Sequence, residues 1–162
     1  MKQKNKHIFV FGIFAVDLSF YVDKKVKPGE TIIAKSSNIG PGGKASNQAI
    51  SARKLGASTT LITRLGNDNF SSYANDIWRR EKLFASTTID KNFPTGMAGI
   101  FIDDKNGENS VIVDPGASAH LSIDDFYLQK SKMKKGDIFL TQFEQSSCLL
   151  YTSDAADDEL GV

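Results

Sequence analysis

Glycines at positions 42 and 43, a lysine at 44 and an amide at Asn47 fall together where a turn meets a run with helical spacing. A glycine turn feeding a helix leaves the first backbone N–H groups unpaired and pointing outward, where they favour oxygen-rich or anionic groups. Lys44 and Asn47 then sit in the first turn, so the segment reads as a device for holding a polar ligand. Two carboxylates join it: Asp17 and Glu144 each follow a strand-like apolar run. Plainer readings stand beside these. Asp17 also suits a strand-end turn, Lys44 a solvated helix start, Asn47 a cap, and Gly42 and Gly43 backbone geometry alone. Cation repulsion at a helix N-terminus argues against an idle Lys44. His7 and His120 have no partners at metal spacing and read as structural or solvated, and Trp78 as packing.

The elements that must position these groups alternate. His7 to Gly12 is a buried parallel strand by its continuous apolar run, and Leu18 to Val22 and Glu30 to Ile39 read as further strands. Ala45 to Leu55 carries small residues at helical spacing and stops at Gly56; Thr59 to Leu65 is a core strand. A second helix spans Phe70 to Leu83, with Tyr73, Ile77 and Phe84 facing inward, and Thr87 to Asp90 is a short strand. Met97 to Ile102 and Ser110 to Asp114 flank an Asn106-Gly107 turn and form a hairpin. Leu121 to Asp125 opens a capped helix, and Asp137 to Thr141 is a third core strand. The alternation predicts an α/β parallel sheet, with the extra strands projecting as a β lid. In such sheets ligands sit beyond the C-terminal strand ends, where Asp17, Gly42 to Asn47 and Glu144 fall.

Length and composition suit one globular domain, with 40% hydrophobic and 24% charged residues among 162. The net charge of +1 conceals an asymmetry. Asp154, Asp157, Asp158 and Glu159 lie in the last 17 residues, leaving 20 basic and 15 acidic side chains in the rest. That balance suits a small anionic ligand; no basic run is dense enough for nucleic acid. No segment approaches a membrane span. Asp17 cuts off the apolar N-terminal run too early for a signal peptide, so a cytoplasmic protein is expected. Cys148 is a lone cysteine with no internal disulfide partner.

The glycine turn is not a P-loop, because Ala45 stands where Ser or Thr is needed and Asn38 where Gly is needed. Nor does a strand–GxGxxG–helix unit occur. The segment Gly42-Gly43-Lys44-Ala45-Ser46-Asn47-Gln48-Ala49, followed by Gly56 and Gly66, instead resembles the first signature of the ribokinase (PfkB) family of carbohydrate kinases. Further matches follow in order: Gly12 with Asp17, Pro28-Gly29-Glu30-Thr31, Thr95-Gly96, Pro115-Gly116-Ala117-Ser118-Ala119 and Gln142-Phe143-Glu144. The resemblance implies a ribokinase-like three-layer α/β fold over residues 1–145, truncated, with lid segments at about 18–40 and 95–114. It implies phosphorylation of a sugar hydroxyl by ATP with Mg²⁺, and K⁺ as a further cation. It assigns Asp17, Gly42, Gly43, Lys44, Asn47 and Glu144 to the sugar, and Ala98 and Ile100 to the lid face above it.

A departure at Ala15, where ribokinases proper carry Asn, leaves the sugar open among pentoses, hexoses and deoxy sugars. The family's GAGD-type motif with its catalytic Asp has no match, so no catalytic residue is assigned and this fragment alone is expected to be inactive. Residues 146–162 change character at once and resemble a translated adapter sequence, which predicts a non-native tail. A homodimer through the lid follows by analogy. Two alternatives remain: a nucleoside kinase of the same family, and a non-catalytic protein that binds sugar or dimerises.

Overall fold

The computed structural model describes residues 6–134 and 137–144. The expectations for the tail at 146–162 and for Cys148 lie outside them.

The described residues form two four-stranded sheets with helices packed on them. The first is wholly parallel, in the order β5-β4-β1-β8, from β1 (His7–Phe11), β4 (Ser58–Gly66), β5 (Phe84–Asp90) and β8 (Ile138–Thr141). Its alternation explains the layers. On one face Val10, Leu61 and Leu65 pack with Ala45 and Ala49 of α1 (Lys44–Lys54) and with Ala74, Ile77 and Trp78 of α2 (Asn69–Arg80). On the other, Phe9, Phe11 and Ile62 pack with Phe126 of α3 (Ile123–Lys130). A strand covered on both sides must be apolar on both sides, hence the unbroken run at 8–11. The alanines of α1 let its axis approach the sheet. The three-layer architecture is the expected one.

The second sheet runs β3-β2-β6-β7, from β2 (Ala15–Val22), β3 (Ser36–Gly42), β6 (Thr95–Asp103) and β7 (Asn109–Gly116). Its outer pairs are antiparallel and its central pair, β2 with β6, is parallel. It departs from the chain path just beyond β1, through the buried Ile13, Phe14, Ala15 and Val16. Asp68 anchors it: the carboxylate caps α2 through the Ser71 amide (3.0 Å) and also accepts from the Thr95 amide (2.7 Å) and hydroxyl (2.8 Å). At its far tip Lys35 Nζ pairs with Asp23 (2.8 Å) and Asp104 (2.7 Å).

Several boundaries differ from the sequence reading. The strand expected at 30–39 forms at Ser36–Gly42, because its ladder with β2 runs only from Ser36, opposite Tyr21, to Gly42, opposite Ala15. The strand expected from Leu18 therefore begins at Ala15. The second helix ends at Arg80, not Leu83, and Phe84 faces solvent at the start of β5 rather than inward. Lys82 turns through a positive φ of 53°, and Leu83 takes the buried place, its amide bonded to the Trp78 carbonyl (2.9 Å). Among the described residues β8 is paired on one side only, and Ile138 and Phe139 are partly exposed. The capped start of α3 forms as expected, with Ser122 and Asp125 closing a capping box.

Candidate functional site

The site assembles where the two sheets meet, beyond the C-terminal end of β1. Asp17 is the third residue of β2, in register with Gly40 on β3 and Ala98 on β6. Its carboxylate lies against Gly42: a Cβ at that position would stand 2.1 Å from Asp17 Oδ1. Only glycine leaves room for the acid there. Gly43 has φ 84°, and a Cβ on it would come within 2.5 Å of the Ile13 carbonyl oxygen and 2.6 Å of Phe14 Cα. The turn thus packs backbone to backbone on the segment leading into β2, which fixes α1 relative to Asp17.

Gly43 is the N-cap of α1, and no side chain caps it. The first intrahelical bond is from the Asn47 amide to the Gly43 carbonyl (3.0 Å). The amides of Lys44, Ala45 and Ser46 therefore precede the helical ladder. Asn47 is exposed, on the same side of the helix as Lys44, one turn on. Lys44 pairs with Glu144, bringing the residues just after β8 to the glycine turn. Asp17, Gly42, Gly43, Lys44, Asn47 and Glu144 thus cluster about one helix end. Ala98 is buried beside Asp17; Ile100 lies two residues up the same face, opposite Ser19.

Electrostatically the centre of the site is Asp17. Among the described residues its carboxylate accepts no hydrogen bond, and burial pushes it above the usual carboxylate value. An unpaired acceptor in a half-dry setting favours a ligand that brings O–H donors.

Sequence reasoning passed over a second polar pair. The Gln142 amide donates to Gln48 Oε1 (2.6 Å) and joins the end of β8 to α1 just behind Lys44. Its own Oε1 is buried and without a partner among the described residues. Both glutamines lie within the quoted motifs, and their adjacency to Asn47 and Glu144 was the available signal. Asp68 and Thr95 were also missed as the anchor of the second sheet. Thr95 was read only within the Thr95-Gly96 match, with the strand expected from Met97.

The described residues contain no group of three or more His, Cys, Asp or Glu side chains that could hold a metal. At the glycine turn the Glu144 carboxylate is taken up by Lys44, so among the described residues it is not open to a cation.

A half-buried acid, an uncapped helix end and a second sheet beside them define an α/β protein with a candidate polar site at the seam of its two sheets. The chain belongs to the pfkB family of carbohydrate kinases, whose model matches residues 5–156. It is 35% identical over 141 residues to the ribokinase of Dictyostelium discoideum, covering 86% of this chain and 44% of that protein. It is equally similar, 35% over 140 residues, to the deoxyribokinase of Salmonella typhimurium, covering 85% of this chain and 45% of that one. Among solved structures it resembles Arabidopsis thaliana ribokinase complexed with ribose and ATP. The TM-score is 0.77 at 25% identity, over 98% of this chain and 51% of that one. The chain spans a little under half the length of these curated relatives. No described helix is long and apolar enough to cross a membrane.

Proposed function

We propose that the whole protein transfers the terminal phosphoryl group of ATP to a hydroxyl of a pentose or related sugar, and that this chain supplies the floor and lid of the sugar site. The observation that carries the reading is the unpartnered Asp17 carboxylate set against Gly42 beneath the second sheet. The likeness to ribokinases, one of them complexed with ribose and ATP, supplies the donor and the substrate class. Similarity to a ribokinase and a deoxyribokinase at the same identity, together with Ala15, leaves the particular sugar undetermined.

In this reading Asp17 accepts from one sugar hydroxyl and Asn47 from or to its neighbour. Gly42 and Gly43 let the ring approach the backbone, and the free amides of α1 add donors. The Lys44–Glu144 pair opens so that Glu144 takes a further hydroxyl. Ala98 and Ile100 cover the apolar face of the ring, and the lid keeps water from competing as acceptor. The sugar oxygen attacks the γ-phosphorus, the bond from phosphorus to the bridging oxygen breaks, and ADP departs; the base that takes the hydroxyl proton is not assigned to a described residue. A cytoplasmic location and a homodimer joined at the lid, where Val111, Val113 and Ile112 are exposed, belong to the same proposal.

Calorimetric titration of this chain with a panel of pentoses, hexoses and deoxy sugars tests it. At least one sugar should bind, and Gly42→Ala should weaken that sugar roughly 100-fold by displacing Asp17 while the melting temperature reports that the fold survives. Absence of binding by every sugar, or ATP turnover by the whole protein with none of them, would overturn it.

A further inference from the structure

At the opposite end of the parallel sheet, where β1, β4, β5 and β8 begin, a cleft of about 840 Å³ opens. Five cationic side chains line it, Lys6, Arg53, Lys82, Lys132 and Lys134, against one carboxylate, Asp137. That carboxylate is already engaged by two backbone amides, of His7 (3.1 Å) and Lys134 (2.9 Å). None of the five cations makes an ion pair among the described residues. Arg53 donates through Nε to the Lys82 carbonyl (2.9 Å), its remaining N–H groups having no bond among the described residues, and Lys132 lies over the Phe84 ring. Like charges gathered without counter-charge repel one another, and an anionic ligand reverses the sign of that interaction.

The backbone supplies an independent sign. Helices α1 and α2 end in the same motif at the cleft. The amides of Gly56 and Ala57 return to the carbonyls of Arg53 and Ala52, just as those of Lys82 and Leu83 return to Arg79 and Trp78. The left-handed position is glycine in the first case, φ 89°, and lysine in the second, φ 53°. A lysine there is strained where a glycine is not, and a non-glycine residue held in this region points toward a role for its side chain.

We propose that this cleft is a second binding site, separate from the sugar site, for a ligand with clustered phosphates: an inorganic di- or triphosphate or the phosphate chain of a nucleotide. The volume falls within the range of small-molecule sites, and lysines serve phosphates as point charges without demanding a fixed geometry.

The test is calorimetric titration of the full chain with inorganic tripolyphosphate at low salt, alongside ATP. Tripolyphosphate should bind, more weakly as salt rises. Lys82→Gly should lower its affinity about tenfold while the melting temperature holds or rises, because the strained residue is gone; unfolding cannot then explain the loss. Lys82→Arg should retain binding, Lys132→Ala should weaken it, and Asp17→Asn should leave it unchanged, which separates this site from the sugar site. Tighter binding of ATP, lost in the same variants, identifies the nucleotide as the source; equal binding identifies the phosphates alone. Absence of tripolyphosphate binding, unaltered affinity in Lys82→Gly and Lys132→Ala, or equal displacement by the same concentration of sulfate would overturn the proposal.

Discussion

The two sheets have four strands each among the described residues, yet different forces hold them. In the parallel sheet Val10, Leu61 and Leu65 are fully buried between helices, and Trp78 closes the packing with its Nε1–H on Ser46 Oγ (3.0 Å). In the second sheet, Val111, Ile112 and Val113 are 49%, 70% and 54% exposed, and among the described residues cohesion comes from backbone ladders, one Phe20–Phe101 stack and a few ion pairs. Burial locks the first sheet, whereas the second is held by contacts that water can replace. Stability therefore resides in one and adaptability in the other, and the site lies on the seam between them.

The largest effect that would break this contrast is a matched pair of truncations. Trp78→Ala should cost about 3–5 kcal/mol in urea unfolding, while Phe101→Ala should cost about 1 kcal/mol, the scale of a partly exposed aromatic pair. Equal losses would make the second sheet part of the core. The contrast sharpens at the seam with Asp17→Asn, which should weaken sugar binding about tenfold and change the pH profile. Burial raises the Asp17 carboxyl from 3.8, so the folded state favours its protonated form. Its contribution to stability is then present at acid pH and falls as pH rises from that ordinary value through the raised one. Thermal melts across the window should show that slope in the wild type and not in the variant.

The smallest effect concerns the far tip of the second sheet. A hydrogen bond from Lys35, with its charge adding to the effect, holds Asp23 below the usual carboxylate value. Here the sign reverses: the pairing is present above the ordinary value and lost as pH falls through the lowered one. Hydrogen exchange at the Lys35 amide, which donates to the Tyr21 carbonyl (2.8 Å), should quicken on acidification. Lys35→Ala should reproduce this at neutral pH with the global unfolding midpoint unmoved. A lowered midpoint would contradict the division between the sheets.

The same division governed what could be read in advance. The central strands and α1 were legible because burial on both faces writes itself as apolar runs and small residues. β3 was not, because Ser36-Ser37-Asn38-Ile39-Gly40-Pro41-Gly42 has poor strand propensity and is ordered by pairing with β2. Phe84 misled for a related reason: helical spacing placed it inward, but the turn at Lys82 shifts the phase and gives the buried place to Leu83. In the candidate site the glycine turn and Asp17 were apparent from spacing. The fit of the carboxylate against Gly42 and the Gln48–Gln142 pair were not, since both depend on residues distant in the chain.

β2 belongs to the second sheet and also carries Asp17. β3 of the same sheet ends at Gly42 and runs through Gly43 into α1, so any movement of the second sheet carries Asp17 and Gly42 together relative to the helix, and coverage of the ligand and the grip on it change along one coordinate. Residence time at the proposed sugar site is then governed by how often β2 parts from α1, and a ligand that holds the acid in place slows its own escape.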